Sequence, residues 1–214
     1  GESFAEAEPP AGFEPEWERW VVGDSASGVR LTPVLPDRAV VARPESPLTL
    51  PTGQEALFLV SVPVWVRVSI EDGPDLREYP TVVLSNIWFG DPMAGELCYS
   101  LRTRARRRIE DAPPRCNRAV CPVRIRNDAP KPLEIERFSL GVRQLRVYAG
   151  RRLWTGEVRV QFRGEEHASE VRYPPEPPSL EPVGEILSEA REPAAPRGLV
   201  RKTLGGLKQF AHIQ

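Results

Sequence analysis

The chain has 214 residues, 40% hydrophobic and 28% charged, with a formal net charge of −1; that balance excludes a disordered chain and supplies a core without metal or disulfide staples. Its 24 prolines exceed the usual share of about 5% and exclude long helices. The near-zero charge also excludes a uniformly basic protein, because acidic and basic residues are segregated along the chain.

Residues 1–20 carry six Glu against Arg19 and read as an acidic, flexible arm, with Phe13, Trp17 and Trp20 available to dock it. Residues 21–173 read as a β-sandwich domain, with a division into two β subdomains near residue 90 as the alternative. The clearest signal is Gln54 to Ile70, where Phe58, Val60, Val62, Val64, Val66, Val68 and Ile70 share one face of a period-two pattern. Pro63 lacks an N–H and predicts a sheet edge or a bulge there. Tyr79 to Phe89 is expected as one strand, ended by the turn residues Gly90, Asp91 and Pro92. Cys98 to Ile109 and Ala119 to Asn127 are expected as two long antiparallel strands joined through Asp111 to Pro114. Leu133 to Leu140, Gln144 to Ala149 and Glu157 to Arg163 continue the meander. The fold class is therefore all-β, with sandwich-like antiparallel sheets, a proline-rich linker over 174–197 and a short C-terminal helix. A helical turn is also read at Glu185 to Arg191.

Few residues suggest chemistry. Cys116 and Cys121 resemble half a metal site, with Cys98 and His167 as completing ligands, but structural zinc usually shows two tight pairs. The thiols are read as buried or incidental, and no metal or cofactor is assigned. His167 and His212 are too isolated to build a triad, and Asp72/Asp75 and Glu165/Glu166 lie in turn-like segments. A non-catalytic protein is expected, with a carboxylate-based hydrolase ranked last. Odd cysteine number and the absence of a charged-then-apolar start point to the cytosol. The longest apolar run, Leu57 to Val66, contains Ser61 and Pro63 and falls short of the ~20 residues of a membrane span.

Arginine is the more informative residue. On a strand, Arg102, Arg104, Arg106 and Arg108 project to one side, and Arg124 and Arg126 alternate with Val123 and Ile125. If these strands pair, six guanidiniums share one face able to bind phosphate, nucleic acid or an acidic partner. The plainer reading, preferred for this face, is a solvated surface neutralised by the acidic arm, Glu134 and Glu136. Stacking aromatics for a single-strand binder are missing from it. At the C-terminus, residues 198–214 are expected to form an amphipathic helix with a docking seam of Val200, Leu204, Leu207, Phe210 and Ala211. Gly205 and Gly206 weaken it, so its seam needs covering by the protein's own core, a partner groove or a lipid surface in peripheral contact.

From Leu48 to Phe162 the order of motifs resembles a prokaryotic family catalogued as domain of unknown function 432. Leu50-Pro51 precedes the Val-rich strand Phe58 to Ile70, Trp88-Phe89-Gly90-Asp91-Pro92 leads to Gly95 and Cys98, and Ile125-Arg126-Asn127-Asp128 precedes Leu133-Glu134-Ile135. The chain departs at Tyr99-Ser100, where the family tends to place Arg-Tyr. The resemblance implies an all-β protein with no assigned activity and no catalytic residues to carry over. It also implies an accessory role, since members are associated with genes for small mechanosensitive channels. Together these readings lead to a non-catalytic interaction protein for a membrane-associated partner such as such a channel, the alternative being anion or nucleic-acid binding through the arginine face.

Overall fold

A computed structural model describes residues 18–21, 28–164, 169–193 and 198–200. In chain order its strands are β1 (Val29–Val34), β2 (Val40–Pro44), β3 (Leu48–Leu50), β4 (Glu55–Pro63), β5 (Trp65–Ile70), β6 (Asp75–Pro80), β7 (Ser85–Phe89) and β8 (Glu96–Ala105). They continue as β9 (Arg118–Asn127), β10 (Leu133–Ile135), β11 (Phe138–Leu140), β12 (Val147–Gly150), β13 (Leu153–Thr155), β14 (Val158–Phe162), β15 (Ser169–Arg172), β16 (Val183–Ser188) and β17 (Gly198–Val200). One 3-10 turn, Ile109–Asp111, interrupts the strands.

The largest sheet is organised by β9. On one side β4 pairs with it antiparallel from Glu55↔Arg126 to Pro63↔Arg118; on the other, β13 and β14 pair with it in parallel. β12 and β16 extend this sheet at one end, β15 and β17 at the other. A second sheet of order β11-β2-β8-β7 lies across it, and β1-β5-β6 and β10-β3 form smaller sheets. The main core fills the space between the two larger sheets. Ala56, Phe58, Val60 and Val62 of β4 and Val123 and Ile125 of β9 meet Val40, Ala42, Leu101, Phe138 and Leu140, all buried. The rings of Phe58 and Phe138 sit 5.5 Å apart. Alternation puts Leu59 on the other face of β4, in a second cluster with Val120, Tyr148 and fully buried Trp154. β9 is thus covered on both faces in its first half, and Arg126 is the one residue along it that is exposed.

All-β architecture agrees with the period-two reading, while the pairing is mixed: β2 runs parallel to β8, as β13 and β14 do to β9. Several expected strands are divided. The Gln54 to Ile70 run breaks at Val64, where Pro63 ends β4 and β5 passes into another sheet, pairing with β1 and β6. Between β6 and β7 the Thr81 hydroxyl donates to the Val64 carbonyl at 2.6 Å and ends the strand expected over 79–89. β8 and β9 are not an antiparallel pair; β8 lies between β2 and β7. The C-terminal end of β8 instead reaches the free edge of β4, where Leu59 and Arg106 exchange backbone hydrogen bonds of 2.8 and 2.9 Å.

The proline-rich stretch read as a spacer is fastened to the body. The helical turn expected at Glu185 to Arg191 is largely β16, paired with β12. Beyond it Arg191 donates from Nε to the Leu35 carbonyl at 2.8 Å and through its Nη atoms to Glu78. Arg67 also donates to Glu78, at 2.9 and 2.8 Å. The C-terminal helix expected from residue 198 does not begin there: Gly198–Val200 is strand β17, antiparallel to β15. Residues 201–214, with Leu204, Leu207, Phe210 and Ala211, lie outside the described residues, as does the arm up to residue 17. Glu18, just beyond, accepts a 2.6 Å hydrogen bond from the Tyr79 hydroxyl.

Glu78 ties the tail's fastening to pH. Burial pushes its carboxyl up, but hydrogen bonds from Arg191 and Arg67 outweigh that and hold it below its ordinary 4.5. A depressed carboxylate contributes stability that is complete above the unfolded value and is lost as pH falls through the folded one. Glu78→Gln is therefore expected to destabilise the protein at neutral pH and to converge with the parent as pH falls below 4.5. Parallel melting curves for the two proteins across that range would sink the assignment.

Candidate functional site

The six arginines singled out by spacing divide between two outer faces of the sandwich. Alternation along β8 does put Arg102 and Arg104 on the side opposite buried Leu101 and Ala105. The parallel β2–β8 register then sets Arg43 directly opposite Arg104. All three side chains are exposed, and among the described residues none takes part in an ion pair or side-chain hydrogen bond. Like charges directly opposite on a sheet repel. Arg106 and Arg108 are occupied, by Glu45 and, at 3.5 Å, by Glu110. Arg43 escaped the sequence reading because its neighbour is some sixty residues away, in a parallel pairing that no local pattern announces.

Arg124 and Arg126 belong to a different surface. Register aligns Arg124 with Arg159 and Arg159 with Arg172 across β9, β14 and β15, and the next row aligns Glu55, Arg126, Gln161 and Glu170. Carboxylates sit low between the guanidiniums. Glu157, with 9% of its side chain exposed, bridges Arg124 at 3.1 Å and Arg159 at 2.6 Å. Glu170, at 10%, bridges Arg163 and Arg172, and Asp128 takes Arg126 at 2.8 Å. Hydrogen bonds from Gln161 and Arg126 hold the Asp128 carboxyl below its ordinary value. This face is neutralised, and its acids are Glu55, Asp128, Glu157 and Glu170, not the Glu134 and Glu136 expected from the sequence.

A cavity of about 400 Å³ opens at one end of the sandwich between the two larger sheets. Buried Val123, Val158, Val160 and Val171 form its apolar floor, and Glu96, Ser139, Gln144 and Tyr173 bring polar groups to it. Burial, then the nearby Cys121 and Glu96, pushes the Tyr173 phenol up to about 12, so it stays protonated. Sequence reasoning missed this site, since its lining comes from segments between residues 37 and 193.

The thiols do not converge. Cys98 and Cys121 are buried and Cys116 is exposed. Burial, then Glu96, pushes Cys98 up to about 12; burial does the same to Cys121. Among the described residues no three His, Cys, Asp or Glu side chains group as metal ligands, and His167 and His212 lie outside those residues. Among them, too, no helix is long and apolar enough to cross a membrane.

A family model described as "Protein of unknown function (DUF432)" matches residues 9–211. No curated protein and no solved structure matches the chain.

Proposed function

The chain belongs to the DUF432 family, and we propose that it is a non-catalytic binding protein that meets an anionic macromolecule through Arg43, Arg102 and Arg104. The observation that carries this reading is the like-charge pair Arg43↔Arg104, with Arg102 two residues along the same strand face and no carboxylate engaged among the described residues. Bringing an anion to such a row relieves the repulsion and uses planar donor forks that suit phosphate, sulfate and carboxylate. The Arg124–Arg159–Arg172 row is the internal comparison: the same residue type on neighbouring strands, already supplied with Glu157 and Glu170. A membrane-associated partner, as the family resemblance implies, fits this proposal where it presents acidic groups. The tail-docking seam contributes no support, since only Val200 of it falls among the described residues, in β17.

Heparin and a DNA duplex are expected to bind at low salt and to be released as salt rises. Each phosphate contact removed shortens the logarithmic salt slope by about 0.9. The triple replacement Arg43→Gln, Arg102→Gln, Arg104→Gln should therefore flatten the duplex slope by roughly 3 × 0.9, whereas Arg159→Gln with Arg172→Gln should leave it unchanged. No binding at low salt, or an equal loss in both variants, overturns the proposal.

A further inference from the structure

At the end of β2 and β8 away from Arg43 and Arg104, we infer that the cavity is a binding site for a small neutral polyol of about the size of one sugar ring. The volume, about 400 Å³, falls within the range of pockets that enclose small molecules, roughly 300–1,000 Å³. Its floor is made by inward-facing residues of β9, β14 and β15, each almost wholly buried: Val123, Val158, Val160 and Val171. These valines touch almost no solvent, so they close the bottom of the cavity and leave the polar groups around its rim to read a ligand.

The rim groups are set to accept hydrogen bonds. Gln144 donates from Nε2 to Glu192 Oε2 at 3.0 Å, which fixes its amide and turns Oε1 toward Gly141. The Tyr173 hydroxyl arrives at the same place: a Cβ built on Gly141 would stand 2.6 Å from Tyr173 Oη and 3.2 Å from Gln144 Oε1. The absence of that Cβ keeps the space between the two groups open. Among the described residues the Tyr173 hydroxyl has no hydrogen-bond partner, so a neutral phenol is available to give one bond and receive another. Glu96 Oε1 accepts from the Ser139 hydroxyl at 3.0 Å, which orients the carboxylate at the rim. Two oxygens of one carboxylate can take both hydroxyls of a vicinal diol.

Charge disfavours an ionic ligand. Arg143 is paired with Glu192 at 2.6 Å and Arg38 lies 3.9 Å from Asp37, so both signs are present and largely paired. A phosphate would face the Glu96 carboxylate, and an ammonium would face the two guanidiniums. A donor-rich neutral molecule meets neither penalty and fills the acceptor positions.

Titration of the labelled 214-residue chain with glucose and with myo-inositol tests the site, with methylamine and inorganic phosphate as comparison probes. Either polyol should shift the signals of Gly141, the Gln144 side-chain amide and the Val158, Val160 and Val171 methyls, with a Kd of about 1 mM or tighter. Tyr173→Phe, which keeps the ring, should weaken binding about tenfold. Gly141→Ala should abolish it, with an unchanged circular dichroism spectrum confirming that each variant folds. Absent or scattered shifts with both polyols, stronger lining shifts with methylamine or phosphate, or unaltered affinity in folded Tyr173→Phe overturns the inference.

Discussion

Replacing Asn127 by Ala is expected to cost about 3 kcal/mol of stability, a fall in melting temperature of about 6–12 °C for a chain of this size. Asn127 is wholly buried at the end of β9. Its Nδ2 donates to the carbonyls of Leu50 and Lys131, both at 2.9 Å, and its Oδ1 accepts from the Ala129 N–H at 3.0 Å. Its backbone also holds the turn before β4, giving to the Gln54 carbonyl at 3.0 Å and taking from the Gly53 N–H at 2.6 Å. One amide therefore satisfies three main-chain groups, at the end of β3 and in the turn after β9, and removing it leaves those of buried Leu50 and Ala129 without that partner.

Asn127→Asp separates this account from simple loss of volume. The isosteric carboxylate cannot donate, and it would face the Leu50 and Lys131 carbonyls. Its pKa should rise above the ordinary value of about 3.9. A raised carboxyl loses stability as pH climbs and the group is forced to ionise. Asn127→Asp should therefore melt lower at pH 7 than Asn127→Ala and recover part of the difference in acid; a pH-independent gap between the two would count against the three-bond role.

Arg152→Ala is expected to lower stability by about 3–5 kcal/mol, because it leaves a partly buried carboxylate and a carbonyl uncompensated. The Arg152 side chain is 6% exposed and meets Glu181 through two hydrogen bonds of 3.1 Å. Its Nη1 also donates to the Ala112 carbonyl, and its guanidinium lies 5.8 Å from the Trp154 ring centroid. One side chain thus holds three things together: the 3-10 turn before β9, the second hydrophobic cluster and the proline-rich segment. The double replacement Arg152→Met, Glu181→Leu should regain most of the loss, since apolar groups of similar volume need no pairing. Rapid proteolysis between Pro174 and Glu181 in Arg152→Ala, but not in the double variant, would show the segment released. Equal stability of parent and Arg152→Ala would refute the clamp.

What the sequence by itself determined was local. Alternation in Phe58, Val60 and Val62 and in Arg102 and Arg104 assigned their faces correctly, because a strand's side-chain period of two depends only on its own backbone. Pro63 predicted a sheet edge or a bulge, since a missing N–H cannot be supplied from elsewhere, and β4 ends at it with β9 as its one strand partner among the described residues. Asn127 stood out in a family-like block, although its three bonds were invisible until Leu50, Ala129 and Lys131 were placed around it. Only the tertiary structure decided which strands share a sheet. Parallel pairing of β2 with β8 and of β9 with β14 joins segments that no turn connects, so its register leaves no short-range signature. That pairing parted Arg102 and Arg104 from Arg124 and Arg126, brought Arg43 to Arg104, and seated Glu157 and Glu170 beneath the other arginines. The proline-rich stretch read as a spacer for the same reason: proline limits a chain to extended conformations, but whether an extended chain stands clear or lies against a sheet depends on partners such as Arg152 and Glu78, which are distant in sequence.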